Sequence, residues 1–374
     1  MKIRLLRLLL LLLALGFALG AAEFACRLLP PTHEAYFEDE HRQRITYAEA
    51  KLRGLVQEGT LPRGRATWVP GTRFYLCYRG GARPYMDDRG GVLVEINDLG
   101  IRDRKELTYD KPKGETRVLC LGDSFTFGWG VPAELAWPRR IEAEFPSETR
   151  LRTVNTGAAG TLYVDEYWWA LRDRFGRFDP DVVLVTLCLN DVALIPDTIN
   201  WFRPQRHAAL RRSSRLADLL IGLFLDPPNQ LRLDPGPDYG RVLLDLPADN
   251  PLFALRAEKH EYFWGSGGPQ AALRELRDHC HQREIAFGVV VWPLFQGLER
   301  REDYPFHTLH EVVAGFCRAE GIRHLDLLDT FLGRESRSLW VDPADAHGNE
   351  IAHALATPPI AAFVRDLLAN RRKK

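Results

Sequence analysis

The chain has no surplus of either charge: 50 lysines and arginines stand against 50 aspartates and glutamates. A protein that grips a phosphate backbone normally carries a basic excess or stripe, so nucleic acid is not an expected partner. The closing Arg371-Arg372-Lys373-Lys374 is short and reads as a solvated end. There is no His-Glu-x-x-His and no paired Cys-x-x-Cys, so the spacing of a zinc site is missing and no metal is expected. Gly-x-x-x-x-Gly-Lys-Ser/Thr is also missing, and Gly128-Trp129-Gly130 lacks the Gly-x-Gly-x-x-Gly spacing of a dinucleotide turn, so no organic cofactor is expected. The six cysteines (Cys26, Cys77, Cys120, Cys188, Cys280 and Cys317) show no framework spacing, and few or no disulfides are expected. No internal repeat is evident.

What is present begins at the N-terminus. Lys2, Arg4 and Arg7 precede the apolar run Leu8 to Ala22, the pattern of a secretory signal or a signal-anchor. About 20 residues are needed to span a bilayer, and Leu5, Leu6 and the segment Phe24 to Leu29 can lengthen the helix at its ends. Residues 18–22 allow a small-residue cleavage site. An uncleaved anchor over residues 1–30 is the favoured reading, with secretion after cleavage as the alternative. The basic residues before the run, with Glu34, Glu38, Asp39 and Glu40 after it, place the N-terminus in the cytoplasm and the remainder outside, in a periplasmic or extracellular space.

Residues 31–114 read as a stalk and a small β-rich region. His33 to Gly59 is charged and reads as helical. The following stretch is rich in Gly, Pro and Arg, with β-like runs at Phe74 to Tyr78 and Val92 to Ile96. From residue 115 to 370 apolar strands alternate with helical patterns. Strands are predicted near 118–121, 151–155, 182–188, 286–292 and 324–327, and helices near 133–144, 162–175, 270–283, 309–320 and 349–369. Strands apolar throughout, alternating with helices, are the mark of a parallel sheet covered on both faces. An insertion at 192–268 lacks this rhythm. Beside Asn190, it is a candidate lid or acyl-chain wall, or a packing insertion on the sheet edge.

The chemistry-bearing residues sit at the ends of predicted strands. The run from Arg117 to Leu121 is followed by Gly122-Asp123-Ser124, which puts the Ser124 hydroxyl at the carboxyl edge of the sheet, before a predicted helix whose N–H groups favour an anion. Thr126 stands where an α/β-hydrolase elbow has its second glycine, so this is not that motif. Asn155-Thr156-Gly157 ends the next strand, Asn190-Asp191 the third, and Asp342-Pro343-Ala344-Asp345-Ala346-His347 precedes the last helix. Strand ends of this kind converge on one crevice. Ser124 is the candidate nucleophile, which needs a neighbouring base, and His347 is the candidate base. Asp345 is close enough in the chain to orient the imidazole. The N–H groups of Ser124 and Gly157 and the Asn190 amide are the candidate oxyanion hole. Asp123 and Asp191 read as turn residues, and His353 as structural. Of Tyr167-Trp168-Trp169, one or two should pack on the sheet.

These four blocks resemble the SGNH/GDSL hydrolase family, whose Ser, Gly, Asn and His match Ser124, Gly157, Asn190 and His347. The resemblance covers roughly residues 117–368. It implies an α/β fold, a three-layer α/β/α flavodoxin-like arrangement with a parallel sheet, and most often ester hydrolysis. Two positions depart from the family pattern. Cys188 replaces the glycine of Gly-x-Asn-Asp, and Ala344 stands where Asp-x-x-His has its acid. The carboxylate is then Asp345 or, as the alternative, Asp342. Asp-x-His variants resemble membrane-tethered relatives and related acetyltransferases. The leading expectation is an extracytoplasmic serine ester hydrolase, bound to the membrane by its N-terminal helix and acting on a small-molecule, glycan or lipid ester. The alternatives are an O-acyltransferase modifying exported polysaccharide and a non-catalytic binding protein on the same fold.

Overall fold

A computed structural model describes residues 2–28, 34–45, 56–57, 67–79, 83–158, 164–193, 195, 210, 213–221, 224, 238–245, 264, 268–343 and 345–371. The chain divides into two compact units: residues 1–33 with 196–233, and residues 34–195 with 234–374. In the first unit one helix, Lys2–Leu28, is continuous. Its segment Leu9–Leu28 has a mean hydropathy of 2.2 and is long and apolar enough to cross a membrane. Its leucines are exposed to surroundings that a water-soluble helix would not tolerate all round. Near its end Glu23 accepts the Ser214 hydroxyl at 2.7 Å and the N–H of Leu216 at 2.9 Å, and so caps the short helix Arg215–Leu220. That helix lies in the insertion, most of which falls outside the described residues.

The second unit holds two main sheets. The first is antiparallel, in the order β2-β1-β5-β6, with β1 at Glu34–Asp39, β2 at Arg44–Ile45, β5 at Arg73–Arg79 and β6 at Gly91–Glu95. A separate two-residue pair joins β3 (Val56–Gln57) to β4 (Thr67–Trp68). The β-rich reading of this region is borne out in β5 and β6. The helical reading of His33 to Gly59 is not: its described residues form strands β1, β2 and β3 and the turn between β1 and β2, with no helix among them. The reason is non-local. β1 pairs along its whole length with β5, and Phe37 packs its ring 6.0 Å from Phe74 and 5.7 Å from Trp129. Glu38, which reads as a solvated charge, is buried between Arg42 at 2.7 Å and Arg89 at 2.9 Å. Local helix propensity loses to such pairing.

The second sheet is parallel throughout, in the order β11-β10-β9-β7-β8: β7 is Thr116–Gly122, β8 Leu151–Asn155, β9 Val182–Cys188, β10 Ala286–Trp292 and β11 His324–Asp326. All seven residues of β9 are buried, as its uninterrupted apolar run requires of a strand covered on both faces. Helices Val164–Asp173 and Gly268–Gln282 pack together on the sheet, as do Trp137–Arg140 and the long Glu350–Arg371. A short antiparallel hairpin, β12 (Trp340–Asp342) with β13 (Asp345–Gly348), precedes the last helix. The strand order is flavodoxin-like. It reverses at β7, the first strand in sequence, which has β8 on one side and β9 on the other. Ligand crevices form at such a switch point, outside the carboxyl ends of the strands. The loops carrying Ser124, Gly157 and Asn190 leave those three strands.

Candidate active site

Gly122 closes β7, and Asp123 turns the chain out of the sheet. The Asp123 carboxyl accepts the Phe125 N–H at 2.9 Å and caps one helical turn, Ser124–Phe127. This is the turn role expected of Asp123. The helix expected after the serine is only this four-residue turn. It ends at Gly128, which takes the left-handed conformation with a φ of 79° and returns its N–H to the Ser124 carbonyl, and the buried Arg102 guanidinium donates to the carbonyls of Phe127, Gly128 and Val131. Burial pushes Arg102 down to about 10, so it remains a cation at neutral pH. A single turn has little macrodipole, so anion binding beside Ser124 depends on individual N–H groups.

His347 lies on β13. Its Nε2 is 2.8 Å from Ser124 Oγ, and its Nδ1 is 2.5 Å from Asp345 Oδ1. A carboxylate oxygen only accepts, so Nδ1 carries the proton and Nε2 is left to receive the serine hydroxyl proton. Asp345 Oδ1 also accepts the His347 backbone N–H at 3.1 Å. Of the two acids the sequence left open, Asp345 contacts the imidazole. Asp342 faces Asp345 across the hairpin register. Phe125 and Trp129 hold their rings 5.5 and 5.9 Å from the imidazole and form an apolar wall around it.

Burial opposes the imidazolium form of His347, but the Asp345 carboxylate in contact and Asp123 nearby outweigh it, and the group titrates above its ordinary value of 6.5. A base must be neutral to take a proton. The acid limb of kcat/KM is therefore expected to have its midpoint above about 6.5, with activity lost as pH falls through it. A pH–rate profile with that midpoint below 6 would contradict this. The linkage to stability has the opposite sense: the stabilisation from charged His347 is complete at acid pH and is lost as pH rises through the folded-state value.

The three oxyanion candidates are gathered around the switch point, and two of them, the Gly157 N–H and the Asn190 side chain, bond to partners inside the protein. The Gly157 N–H donates to Asn155 Oδ1 at 3.0 Å. The Asn190 side chain bonds the Asp123 carboxyl, whose titration burial pushes upward. Asp191 accepts the Cys188 N–H at 3.2 Å and so braces the Asn190 loop where the family glycine is replaced. Gly157 has a second reason to be glycine. A Cβ there would lie 2.2 Å from the Phe127 nitrogen and 2.8 Å from its Cα, in the backbone of the nucleophile turn. Gly157→Ala is expected to cost about 1–3 kcal/mol by overpacking and to displace Ser124, a loss readable as a lower denaturation midpoint together with reduced turnover.

Several contributors lie outside the sequence reading. The turn-rich segment Asn97 to Asp103 ties down two site loops: Arg102 holds the nucleophile turn, and Asp103 accepts the Asn155 N–H at 2.7 Å at the end of β8. Trp129, in a Gly-Trp-Gly stretch that carries no site signal in the sequence, sets its ring 5.9 Å from that of His347. Tyr78 of β5 donates its hydroxyl to Asp345 Oδ2 at 2.8 Å across 267 residues of sequence, and no local pattern signals it. His353 is buried and accepts the Trp137 N–H at 3.2 Å, and desolvation pushes it down to about 3, which fits a structural role. Tyr167 is buried in the core, and Trp168 packs against His279. All six cysteines are free thiols, with Cys120 and Cys188 buried in the central strands.

A serine, an imidazole and a buried carboxylate stand joined in series at the switch point of a parallel α/β sheet, an arrangement able to support nucleophilic serine chemistry. The GDSL-like Lipase/Acylhydrolase family model matches residues 120–355, more than half of the chain, and the protein belongs to that family as a carboxylic ester hydrolase. No curated protein matches. Among solved structures, the chain is similar to the lipase/acylhydrolase from Enterococcus faecalis, with 14% identity and a TM-score of 0.37 over 67% of this chain and 96% of that one. It is likewise similar to the psychrotrophic esterase EstA from Pseudoalteromonas sp., with 13% identity and a TM-score of 0.37 over 68% and 99%. A third is an acetylxylan esterase from Geobacillus stearothermophilus, with 15% identity and a TM-score of 0.39 over 67% and 94%.

Proposed function

We propose that the protein is a membrane-anchored esterase that works outside the cytoplasm through a covalent acyl-enzyme on Ser124. The observation that carries the reading is the unbroken hydrogen-bonded series Ser124–His347–Asp345. His347 Nε2 takes the hydroxyl proton as Ser124 Oγ attacks the ester carbonyl. Asp345 holds the resulting imidazolium. The oxyanion rests on the Ser124 N–H, with the Gly157 N–H and the Asn190 amide turning from Asn155 and Asp123 to receive it. Collapse of the tetrahedral species expels the alcohol, which takes the proton from His347. Water then enters on the same side and gives a proton to His347 as it attacks the acyl carbon; the second tetrahedral species breaks its bond to Ser124 Oγ, which takes the proton back from His347, and the acid leaves.

The anchor reading is supported by the length and hydropathy of Leu9–Leu28 and by the three basic residues before it. An alkaline phosphatase fused after residue 374 is expected to be active in cells, since that reporter matures only outside the cytoplasm. An inactive but stable fusion would place the domain inside. Catalysis is tested by turnover of p-nitrophenyl acetate by the detergent-solubilised full chain, beside Ser124→Ala and His347→Ala. Loss in both variants supports the reading. Acetyl transfer to a sugar hydroxyl at the expense of hydrolysis would move it to the O-acyltransferase alternative.

A further inference from the structure

We propose that Tyr78, supplied by the antiparallel N-terminal sheet, is a positioning residue of this site and extends the catalytic series to Ser124–His347–Asp345–Tyr78. The proposal rests on the serine-esterase reading. It adds that the region before the family-matched segment completes the site.

The two oxygens of Asp345 are divided. Oδ1 is committed to His347, through Nδ1 and the backbone N–H, and Oδ2 receives the Tyr78 hydroxyl at 2.8 Å. Tyr78 and Asp345 are each only 2% exposed, so the carboxylate cannot exchange this donor for bulk water. Two donors on Oδ1 and one on Oδ2 fix the rotation of the carboxylate, and with it the direction in which Nε2 points at the serine. The surroundings make room for this contact. Gly130, at a φ of 78° in the loop after the nucleophile turn, would bring a Cβ to 2.7 Å from the Tyr78 hydroxyl. The same sheet region grips the catalytic hairpin a second time. Arg83 donates to Glu350 at 3.2 Å and to the carbonyl of Trp340 at the start of β12. Burial and the Asp345 charge hold the Tyr78 phenol well above its ordinary range, so it stays a donor at every working pH. The other titratable and charged groups facing this series are Asp123 beside His347, Asp342 and Arg102 beside Tyr78, Tyr85 beside Asp345, and His353.

A phenol bonded to Oδ2 draws off part of the carboxylate charge and tempers its stabilisation of the imidazolium. Tyr78→Phe keeps the ring and removes the donor. It is expected to lower kcat by about 10–100-fold, the usual scale for a partner that orients a catalytic ligand, with KM little changed. The acid limb of kcat/KM should move to higher pH, because the less-solvated carboxylate holds the imidazolium more tightly. A 3-fluorotyrosine at position 78, which is a stronger donor on the same ring, should move the limb to lower pH and keeps the test open if Tyr78→Phe folds poorly. Arg83→Gln is expected to lower the thermal midpoint and leave the limb in place. Full kcat and an unmoved limb in Tyr78→Phe, or a limb that ignores 3-fluorotyrosine, would overturn the proposal. If Ser124→Ala is inactive in the same experiment, such a result removes Tyr78 alone. If Ser124→Ala is active, the esterase mechanism fails with it.

Discussion

Ser124→Ala is expected to lower kcat for p-nitrophenyl acetate by about 10⁴–10⁶-fold while leaving the thermal midpoint within a few degrees of the parent. The size follows from the order of events. Without Oγ no acyl-enzyme forms, and what remains is water attack assisted by whatever oxyanion stabilisation the loops provide. The mildness toward the fold follows from what the hydroxyl touches. Its contacts are His347 Nε2 at 2.8 Å and a long approach to Asp123 at 3.5 Å, neither of which holds elements together. Turnover of Ser124→Ala near the parental rate would remove the covalent mechanism.

The second large effect belongs to Asp345→Asn, expected to cost about 10⁴-fold in kcat, as the corresponding change does in Ser-His-Asp enzymes. An amide in place of Oδ1 can present an N–H to Nδ1. The imidazole then takes the other tautomer, with its proton on Nε2, and cannot accept from the serine. The buried carboxylate also offsets the charge that develops on His347 during attack, which an amide cannot do. Asp342→Asn is the discriminating control. Asp342 does not touch the imidazole in the described hydrogen bonds, so this variant is expected to retain most of the activity. The reverse ranking of the two variants, measured as kcat on folded protein, would assign the acid to Asp342.

Although the helix expected near 133–144 is broken into the short turns Ala133–Leu135, Trp137–Arg140 and Ile141–Glu144, the parallel sheet was legible in the sequence because its central strands are apolar runs set between helical patterns. Local pattern is enough for such elements: β9 and β10 run from the same first to the same last residue as their apolar runs. The family blocks named Ser124, Gly157, Asn190 and His347 for the same reason, since each ends an element that can be recognised locally. Between Asp345 and Asp342, spacing alone could not decide. The choice depends on a hairpin register that turns Asp345 toward the ring. The segment around β1 was misread because its charges suggested a solvated helix, whereas Glu38 is paired with arginines 4 and 51 positions away. Tyr78 and Arg102 were invisible as site residues. A tyrosine in a β-run and an arginine in a turn acquire their roles only when tertiary contacts bring Asp345 and the carbonyls of the nucleophile turn to them.

The central claim is that Ser124 is the nucleophile, activated by His347. Its most direct test is labelling of the full-length protein in detergent with a fluorophosphonate, followed by peptide mapping. The account predicts one adduct, on Ser124, formed faster as pH rises through the His347 titration above 6.5 and abolished in His347→Ala. A folded protein that takes no label, or takes it on another residue, would contradict the account.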